Sequence, residues 1–125
     1  MIALDASALL AFLIRERGHQ KVREVLGESC MSTVNISEVL ASFGRAGQNV
    51  PLIAKTLLAM PVELVEFTPE QATIAAGLAQ MTRAAGLSLG DRACLALARE
   101  RRIPALTADQ AWDRLQLGIE IRTVR

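Results

Sequence analysis

The alternation of short apolar segments with helical segments constrains the fold of this chain more than any other feature. Ile2–Leu4 has the composition of a short buried strand, and the apolar residues after it predict a helix at Ala8–Arg15. The same alternation continues along the rest of the sequence. Strands separated by helices pair in parallel and carry helices on both faces of the sheet. We therefore predict an α/β fold, a three-layer α/β/α sandwich with a central parallel sheet.

The remaining elements follow from the same patterns and from residues that start or stop helices. The further predicted strands are Cys30–Met31, Val62–Phe67, Ala105–Thr107 and Ile119–Thr123. The further predicted helices are His19–Leu26 (with Gly27 as its C-cap), Asn35–Ala46, Val50–Ala59, a helix from Thr68 to about Ala85, Ser88–Arg101 and Asp109–Leu115. Thr68, Pro69 and Gln71 predict an N-cap, a proline in the first turn and a capping box.

Length and composition limit the possible functions. With 125 residues, the chain is predicted to form a single domain, 1–125. Its hydrophobic fraction of 51% argues against disorder, and an aromatic fraction of only 3% argues against binding nucleic acid by base stacking. The net charge of +1 gives no overall attraction to nucleic acid or to a membrane surface.

The sequence also indicates where the protein resides. The first residues contain no basic region, and the apolar run Ala8–Ile14 is too short to span a bilayer. Cys30 and Cys94 lack the spacing of metal ligands, so we interpret them as buried, reduced thiols. We expect a cytoplasmic protein with no membrane partner.

Four acidic residues occupy comparable places in the alternation. Asp5 closes the first strand, and Asp109 follows the strand Ala105–Thr107. Glu38 and Asp91 each lie one turn into a helix. In a parallel α/β sheet, the carboxyl ends of the strands and the following helix starts form one edge, where ligand sites gather. We therefore expect these four carboxylates to converge.

Each acid also has a purely structural interpretation. The segments Asn35–Glu38 and Ser88–Asp91 both fit the capping-box pattern, Asp5 fits an N-cap position, and the helix dipole alone favours Asp109 near the start of its helix. Capping, however, does not require the acids to share one edge. Converging carboxylates repel one another, so they either stay partly protonated or hold a cation, and an oxygen-only ligand set suits Mg²⁺ or Mn²⁺. Such a site is suited to hydrolysis of phosphodiesters.

At these residues the sequence resembles the PIN-domain family, and within it the VapC-type toxins of bacterial toxin–antitoxin pairs. The resemblance covers essentially the whole chain. It rests on four motifs in order: Ile2–Ala8 (IALDASA), Ser32–Val39 (STVNISEV), Leu87–Ala93 (LSLGDRA) and Leu106–Trp112 (LTADQAW).

The resemblance implies a Mg²⁺- or Mn²⁺-dependent endoribonuclease with RNA as its substrate. Its acidic quartet would be Asp5, Glu38, Asp91 and Asp109, with Asp5, Asp91 and Asp109 as metal ligands. Ser7 and Thr107 match positions that hydrogen-bond the acids or the water on the metal. The motif Thr-x-Asp-x-x-Trp selects Asp109 as the fourth acid, and Asp113 is interpreted as a surface or supporting acid. His19, the only histidine, is interpreted as a solvated residue.

Other functions remain to be weighed against this one. A phospho-acceptor signalling domain requires a late lysine and paired acids after the first strand, whereas no lysine follows Lys55 and Asp5 stands alone. A phosphatase of the two-aspartate kind requires an aspartate where Ser7 stands. The remaining alternative is a non-catalytic PIN-fold module that binds a protein partner.

The resemblance to the toxin family also implies a cognate antitoxin. The segments Val50–Met60 and Ala8–Ile14 carry many large aliphatic residues. We expect one of these surfaces to form a homodimer and another to bind an antitoxin helix in a groove, with an antitoxin arginine reaching Asp5 or Asp91. The alternative is that all these aliphatic residues belong to the core.

Overall fold

The structure is a computed structural model that describes all 125 residues. Its strands are β1 (Ile2–Leu4), β2 (Ser29–Ser32), β3 (Glu63–Val65), β4 (Ala105–Thr107) and β5 (Ile121–Thr123). Its helices are α1 (Ala6–Leu13), α2 (His19–Val25), α3 (Thr33–Arg45), α4 (Val50–Leu58), α5 (Pro69–Met81) and α6 (Leu89–Arg101). None of these helices is both long enough and apolar enough to cross a membrane.

The five strands form one sheet in the order β3-β2-β1-β4-β5, and every neighbouring pair is parallel. β1 lies at the centre, where Ala3 pairs with Cys30 on one side and with Ala105 on the other. From β1 the chain first builds the sheet in one direction and then returns to build it in the other. The carboxyl ends of β1 and β4 therefore flank the point at which the strand order reverses, the usual position of a ligand site in such sheets.

Alternate residues of the central strands face two separate cores. Leu4, Met31 and Leu106 belong to a core that contains buried residues of α1, α2, α3 and α4. Ala3, Cys30 and Ala105 belong to a second core, which they share with α5 and α6. Successive side chains of a strand point to opposite faces of the sheet, so helices pack against both faces. The predicted three-layer α/β/α sandwich is confirmed.

Several predicted boundaries are wrong by a few residues. The first helix spans Ala6–Leu13 rather than Ala8–Arg15, because Asp5 caps it directly after β1. The third helix begins at Thr33 rather than Asn35, because Ser32, the last residue of β2, accepts the hydrogen bond from the Val34 amide. Asn35 is therefore an interior helical residue, and the predicted Asn35–Glu38 capping box is wrong.

The later strands and the last helix are shorter than predicted. β3 and β5 each contain three residues, and the predicted helix Asp109–Leu115 is a 3₁₀ helix at Gln110–Arg114 with Asp109 as its N-cap. Gly27 does not cap a helix, since it lies inside a 3₁₀ turn. Thr68 caps α5 as predicted, but the Gln71 side chain donates to Glu100 instead of completing a capping box.

Candidate active site

The four acids predicted from the sequence line a single cleft of about 280 Å³. The cleft lies at the edge of the sheet where β1 and β4 end, as expected for a switch point in the strand order. It is lined by Asp5, Ala6, Ser7, Leu10, Glu38, Ser42, Arg45, Asp91 and Asp109. Asp113 is exposed on the 3₁₀ helix and does not line the cleft. His19 lines a different groove.

Asp5 is the most buried of the four acids, with 4% of its surface exposed. Its Oδ1 accepts from the Ala8 amide at 2.8 Å, and its Oδ2 accepts from the Thr107 hydroxyl at 2.6 Å. The Ser7 hydroxyl lies 2.8 and 2.9 Å from the two carboxylate oxygens. Burial nevertheless raises the pKa of Asp5 to about 6, against the lowering effect of these hydrogen bonds.

The hydroxyls of Ser7 and Thr107 also connect the ends of β1 and β4. Ser7 Oγ accepts from the Ala108 amide at 2.9 Å, and Thr107 Oγ1 accepts from the Asp109 amide at 3.0 Å. Both side chains therefore hold the Asp5 carboxylate and the backbone that leads to Asp109. This is the hydrogen bonding to an acid that the family resemblance implies for these two residues.

Asp91 and Asp109 are capping residues that also line the cleft. Asp91 Oδ2 accepts from the Ser88 amide at 3.0 Å in a complete capping box, and Asp109 Oδ1 accepts from the Ala111 amide at 2.9 Å. No protein group donates to Asp91 Oδ1 or to Asp109 Oδ2. Each of these carboxylates can therefore cap its helix and also bind a ligand in the cleft, because each cap uses only one carboxylate oxygen.

Glu38 is held by the side chain of Asn35, whose spacing from Glu38 fits a capping box. Asn35 Nδ2 donates to Glu38 Oε1 at 2.9 Å and to the Gly90 carbonyl oxygen at 2.9 Å. Gly90 directly precedes Asp91, and a Cβ added to Gly90 would overlap the Glu38 carboxylate. Sequence reasoning missed both Asn35 and Gly90; the available signal was a glycine in the first turn of α6 beside an acid.

The cleft carries an excess of negative charge. The three ion pairs of the chain join Glu63 to Arg101, Glu120 to Arg122 and Glu16 to Arg125. None of the four cleft acids forms an ion pair, and Arg45 is the only basic residue in the cleft lining. Repulsion from Asp91 contributes to the raised pKa of Asp5. A cation is the partner that such an arrangement lacks.

The donor set fits a hard divalent cation. Every candidate ligand is a carboxylate or hydroxyl oxygen, which Mg²⁺ and Mn²⁺ prefer, and no histidine or cysteine lines the cleft. As the side chains stand, no group of three or more acidic, histidine or cysteine residues is close enough to hold one ion. Mg²⁺ typically binds through one or two carboxylates and keeps several waters, so the open arrangement remains compatible with it.

A second cleft of about 570 Å³ continues from the acidic one. Ser7, Leu10 and Asp109 line both. The second cleft extends past the start of the 3₁₀ helix to Glu16 and Arg125. The two clefts are therefore adjacent, and Asp5 lines only the smaller one.

Comparison with known proteins assigns this fold to a family. The family model described as PIN domain matches residues 2–117. No curated protein sequence matches the chain.

Several solved structures are similar to this one. A toxin–antitoxin complex from Klebsiella pneumoniae matches with a TM-score of 0.74 and 17% identity, over 97% of this chain and 100% of that one. DNA-bound VapBC from Salmonella typhimurium matches with a TM-score of 0.74 and 14% identity, over 99% of this chain and 98% of that one. VapC20 from Mycobacterium tuberculosis, a sarcin–ricin-loop-cleaving toxin, matches with a TM-score of 0.73 and 16% identity, over 96% of this chain and 99% of that one. At these identities the similarity establishes a shared fold.

Proposed function

The chain belongs to the PIN-domain family, and on that premise we propose that it is a divalent-metal-dependent endoribonuclease that acts as the toxin of a toxin–antitoxin pair. The observation that carries the proposal is the convergence of Asp5, Glu38, Asp91 and Asp109 on one cleft without a single ion pair. The similar structures include that of VapC20, a sarcin–ricin-loop-cleaving toxin. The proposed cofactor is Mg²⁺ or Mn²⁺.

The residues of the cleft would have different roles in the reaction. Asp5, Asp91 and Asp109 offer carboxylate oxygens to the cation, and Glu38 faces them from α3. Ser7 and Thr107 fix the orientation of the Asp5 carboxylate. Arg45, which forms no ion pair, is available to contact a phosphate of the RNA. A bound divalent cation supplies the remaining chemistry, since it lowers the pKa of water and neutralises charge that develops on the phosphate.

Water, rather than the ribose 2′-hydroxyl, is the expected nucleophile. A divalent cation held by the cleft acids would activate a water, and the only histidine, His19, lies in a separate groove with Arg15 and Arg23. In the proposed reaction a water oxygen bonds to phosphorus and gives up a proton, the bond from phosphorus to the 3′ oxygen breaks, and the 3′ oxygen takes up a proton and leaves as a hydroxyl. The products then carry 5′-phosphate and 3′-hydroxyl ends.

Cleavage of defined structured RNAs tests the proposal. We expect activity with Mg²⁺ or Mn²⁺, none in EDTA, and poor activity with Ca²⁺, whose looser coordination positions water badly. Mass spectrometry of the fragments should find 5′-phosphate and 3′-hydroxyl ends. Fragments with 2′,3′-cyclic phosphate ends would rule out the mechanism. A non-catalytic PIN-fold module, the alternative function, would leave the RNA uncut under every condition.

We further propose a homodimer and an antitoxin as protein partners. Parts of both aliphatic segments belong to the core, including Leu9 of α1 and Leu57 of α4. Exposed apolar side chains nevertheless remain on the same elements, namely Ile14 after α1 and Leu52 and Leu58 on α4. The similar structures include a toxin–antitoxin complex from Klebsiella pneumoniae and DNA-bound VapBC from Salmonella typhimurium. An antitoxin arginine that entered the acidic cleft would supply the cation that the four acids lack.

A further inference from the structure

The contacts of Asn35 are unusual for a residue with 1% of its surface exposed. Its Nδ2 lies 2.9 Å from Glu38 Oε1 and 2.9 Å from the Gly90 carbonyl, whereas its own Oδ1 has no partner. Both neighbours are acceptors, so the site needs two N–H donors from one atom, which a side-chain amide provides. The unpartnered buried oxygen costs stability. The amide is therefore better suited to its two acceptors than to stabilising the core.

Gly90 is a glycine for reasons of space rather than backbone conformation. It is the second residue of α6, where alanine would favour the helix more strongly, and its φ does not lie in the left-handed region. A Cβ at this position would overlap the Glu38 carboxylate. The missing side chain thus makes room for an acid that belongs to a different helix.

We propose that Asn35 and Gly90 are positioning residues that fix the Glu38 carboxylate against the first turn of α6, beside Asp91. Glu38 is an exposed residue on α3 with a flexible side chain, and Asp91 belongs to α6. Asn35 joins the two helices by bonding Glu38 and the carbonyl next to Asp91 at once. Held there, the Glu38 carboxylate would add its negative charge to the cation site that Asp5, Asp91 and Asp109 form, and cation binding would not have to order it. This inference rests on the proposed metal-dependent function.

Mn²⁺ binding to the full chain, measured by isothermal titration calorimetry, tests this inference without an activity assay. Gly90→Ala should move the flexible end of Glu38 while favouring α6, so its metal-free stability should stay level or rise. Its Mn²⁺ dissociation constant should nevertheless rise about tenfold or more. Asn35→Leu, which fills a similar volume without donors, should weaken Mn²⁺ binding to a similar extent, as should Asn35→Ala.

Gln71 offers a matched control because it makes the same kind of contact elsewhere. It also has 1% of its surface exposed, its Nε2 donates to Glu100 Oε1 at 2.9 Å, and its Oε1 has no partner. It joins α5 to the other end of α6, away from the cleft. Gln71→Ala should therefore lower the denaturant midpoint of unfolding and leave the Mn²⁺ dissociation constant unchanged.

The outcomes separate this inference from the proposed function. Weaker Mn²⁺ binding by Gly90→Ala and Asn35→Leu, with Gln71→Ala unaffected, supports the positioning role. Wild-type Mn²⁺ affinity in Gly90→Ala and Asn35→Leu overturns that role while leaving the metal site standing. Failure of the wild-type chain to bind Mn²⁺ overturns the proposed function as well. Should Gly90→Ala fail to fold, Asn35→Leu decides the question alone.

Discussion

At the scale of single residues, Asp5 combines two opposing influences. Ser7, Thr107 and the Ala8 amide donate hydrogen bonds that favour its ionised form. Burial disfavours that form more strongly, and repulsion from Asp91 adds to the effect, so the pKa rises to about 6. In the absence of metal, the folded protein must therefore hold an unfavourable buried charge at neutral pH. A cation in the cleft would relieve exactly this cost.

The raised pKa of Asp5 predicts how stability depends on pH. Because the folded state binds this proton more tightly than the unfolded state, with a pKa of about 6 against 3.8, the free energy of unfolding falls as pH rises through that interval. The loss amounts to about 3 kcal/mol. The free energy of unfolding, measured with denaturant in EDTA between pH 4 and 8, should fall by this amount in the wild type and not in Asp5→Asn. A difference between the two proteins that stayed constant across this range would contradict the assignment.

At the scale of elements, the site is assembled from the starts of helices. Asp5 caps α1, Asp91 completes the capping box of α6, and Asp109 caps the 3₁₀ helix. The partial positive charge at each helix start offsets some of the repulsion among the carboxylates. Each cap also fixes its side chain by a backbone contact. The same local bonds that begin the elements thus hold three of the acids at the cleft.

The last of these elements offers a direct comparison of two aspartates. Asp109 lines the cleft, whereas Asp113, within the same 3₁₀ helix, is exposed outside it. We expect Asp109→Asn to reduce RNA cleavage about tenfold to a hundredfold, since its oxygen orients water or the cation. Asp113→Asn should cleave at the wild-type rate. Equal losses in the two variants, measured as kcat/KM on one RNA, would mean that the fourth acid has been misidentified.

Much of this arrangement is predictable from the sequence, because it depends on local patterns. The order of strands and helices follows from apolar periodicity, and parallel pairing then brings the ends of β1 and β4 to one edge. The role of Asn35 is not predictable in this way. The spacing of Asn35 and Glu38 fits a capping box, but Ser32 is the N-cap of this helix. The second acceptor of the Asn35 side chain, the Gly90 carbonyl, lies 55 residues away in the sequence. Only the tertiary structure reveals that contact.

The 3₁₀ helix at Gln110–Arg114 shows another limit of sequence patterns. Its residues resemble the start of an α-helix, with Asp109 as a suitable N-cap. The chain nevertheless has to reach β5 within a few residues, and buried Trp112 anchors the segment in the core beside α6. Tertiary packing therefore determines the helix type here, and Asp109 is the N-cap rather than the first residue of the predicted helix.

At the scale of the whole molecule, α4 leaves apolar surface without a partner. Leu52 and Leu58 are 61% and 69% exposed. If this surface forms the proposed homodimer, sedimentation velocity at tens of micromolar should give a dimer, and the double variant Leu52→Glu with Leu58→Glu should sediment as a monomer. A matched change at exposed Met81 on α5 should leave the dimer intact. A wild-type chain that is strictly monomeric would contradict the dimer.

The fold as a whole places the acidic cleft where chemistry can be varied without disturbing the cores. The two cores hold the sheet from either face, and the cleft lies at its carboxyl edge, lined mainly by residues at the starts of elements. Substitution of an exposed cleft acid therefore removes charge without removing core volume. Loss of cleavage in such variants would report on chemistry and not on folding.

The most direct test of the central claim is cleavage of one structured RNA by the wild type and by Asp5→Asn, Glu38→Gln and Asp91→Asn, purified in parallel with Mn²⁺ present. We predict that each substitution lowers the rate by about two orders of magnitude or more, with unfolding midpoints in EDTA equal to or above that of the wild type. Asp113→Asn, purified in the same way, controls for the effects of substitution and purification and should cleave normally. Wild-type cleavage by Asp5→Asn would contradict the account.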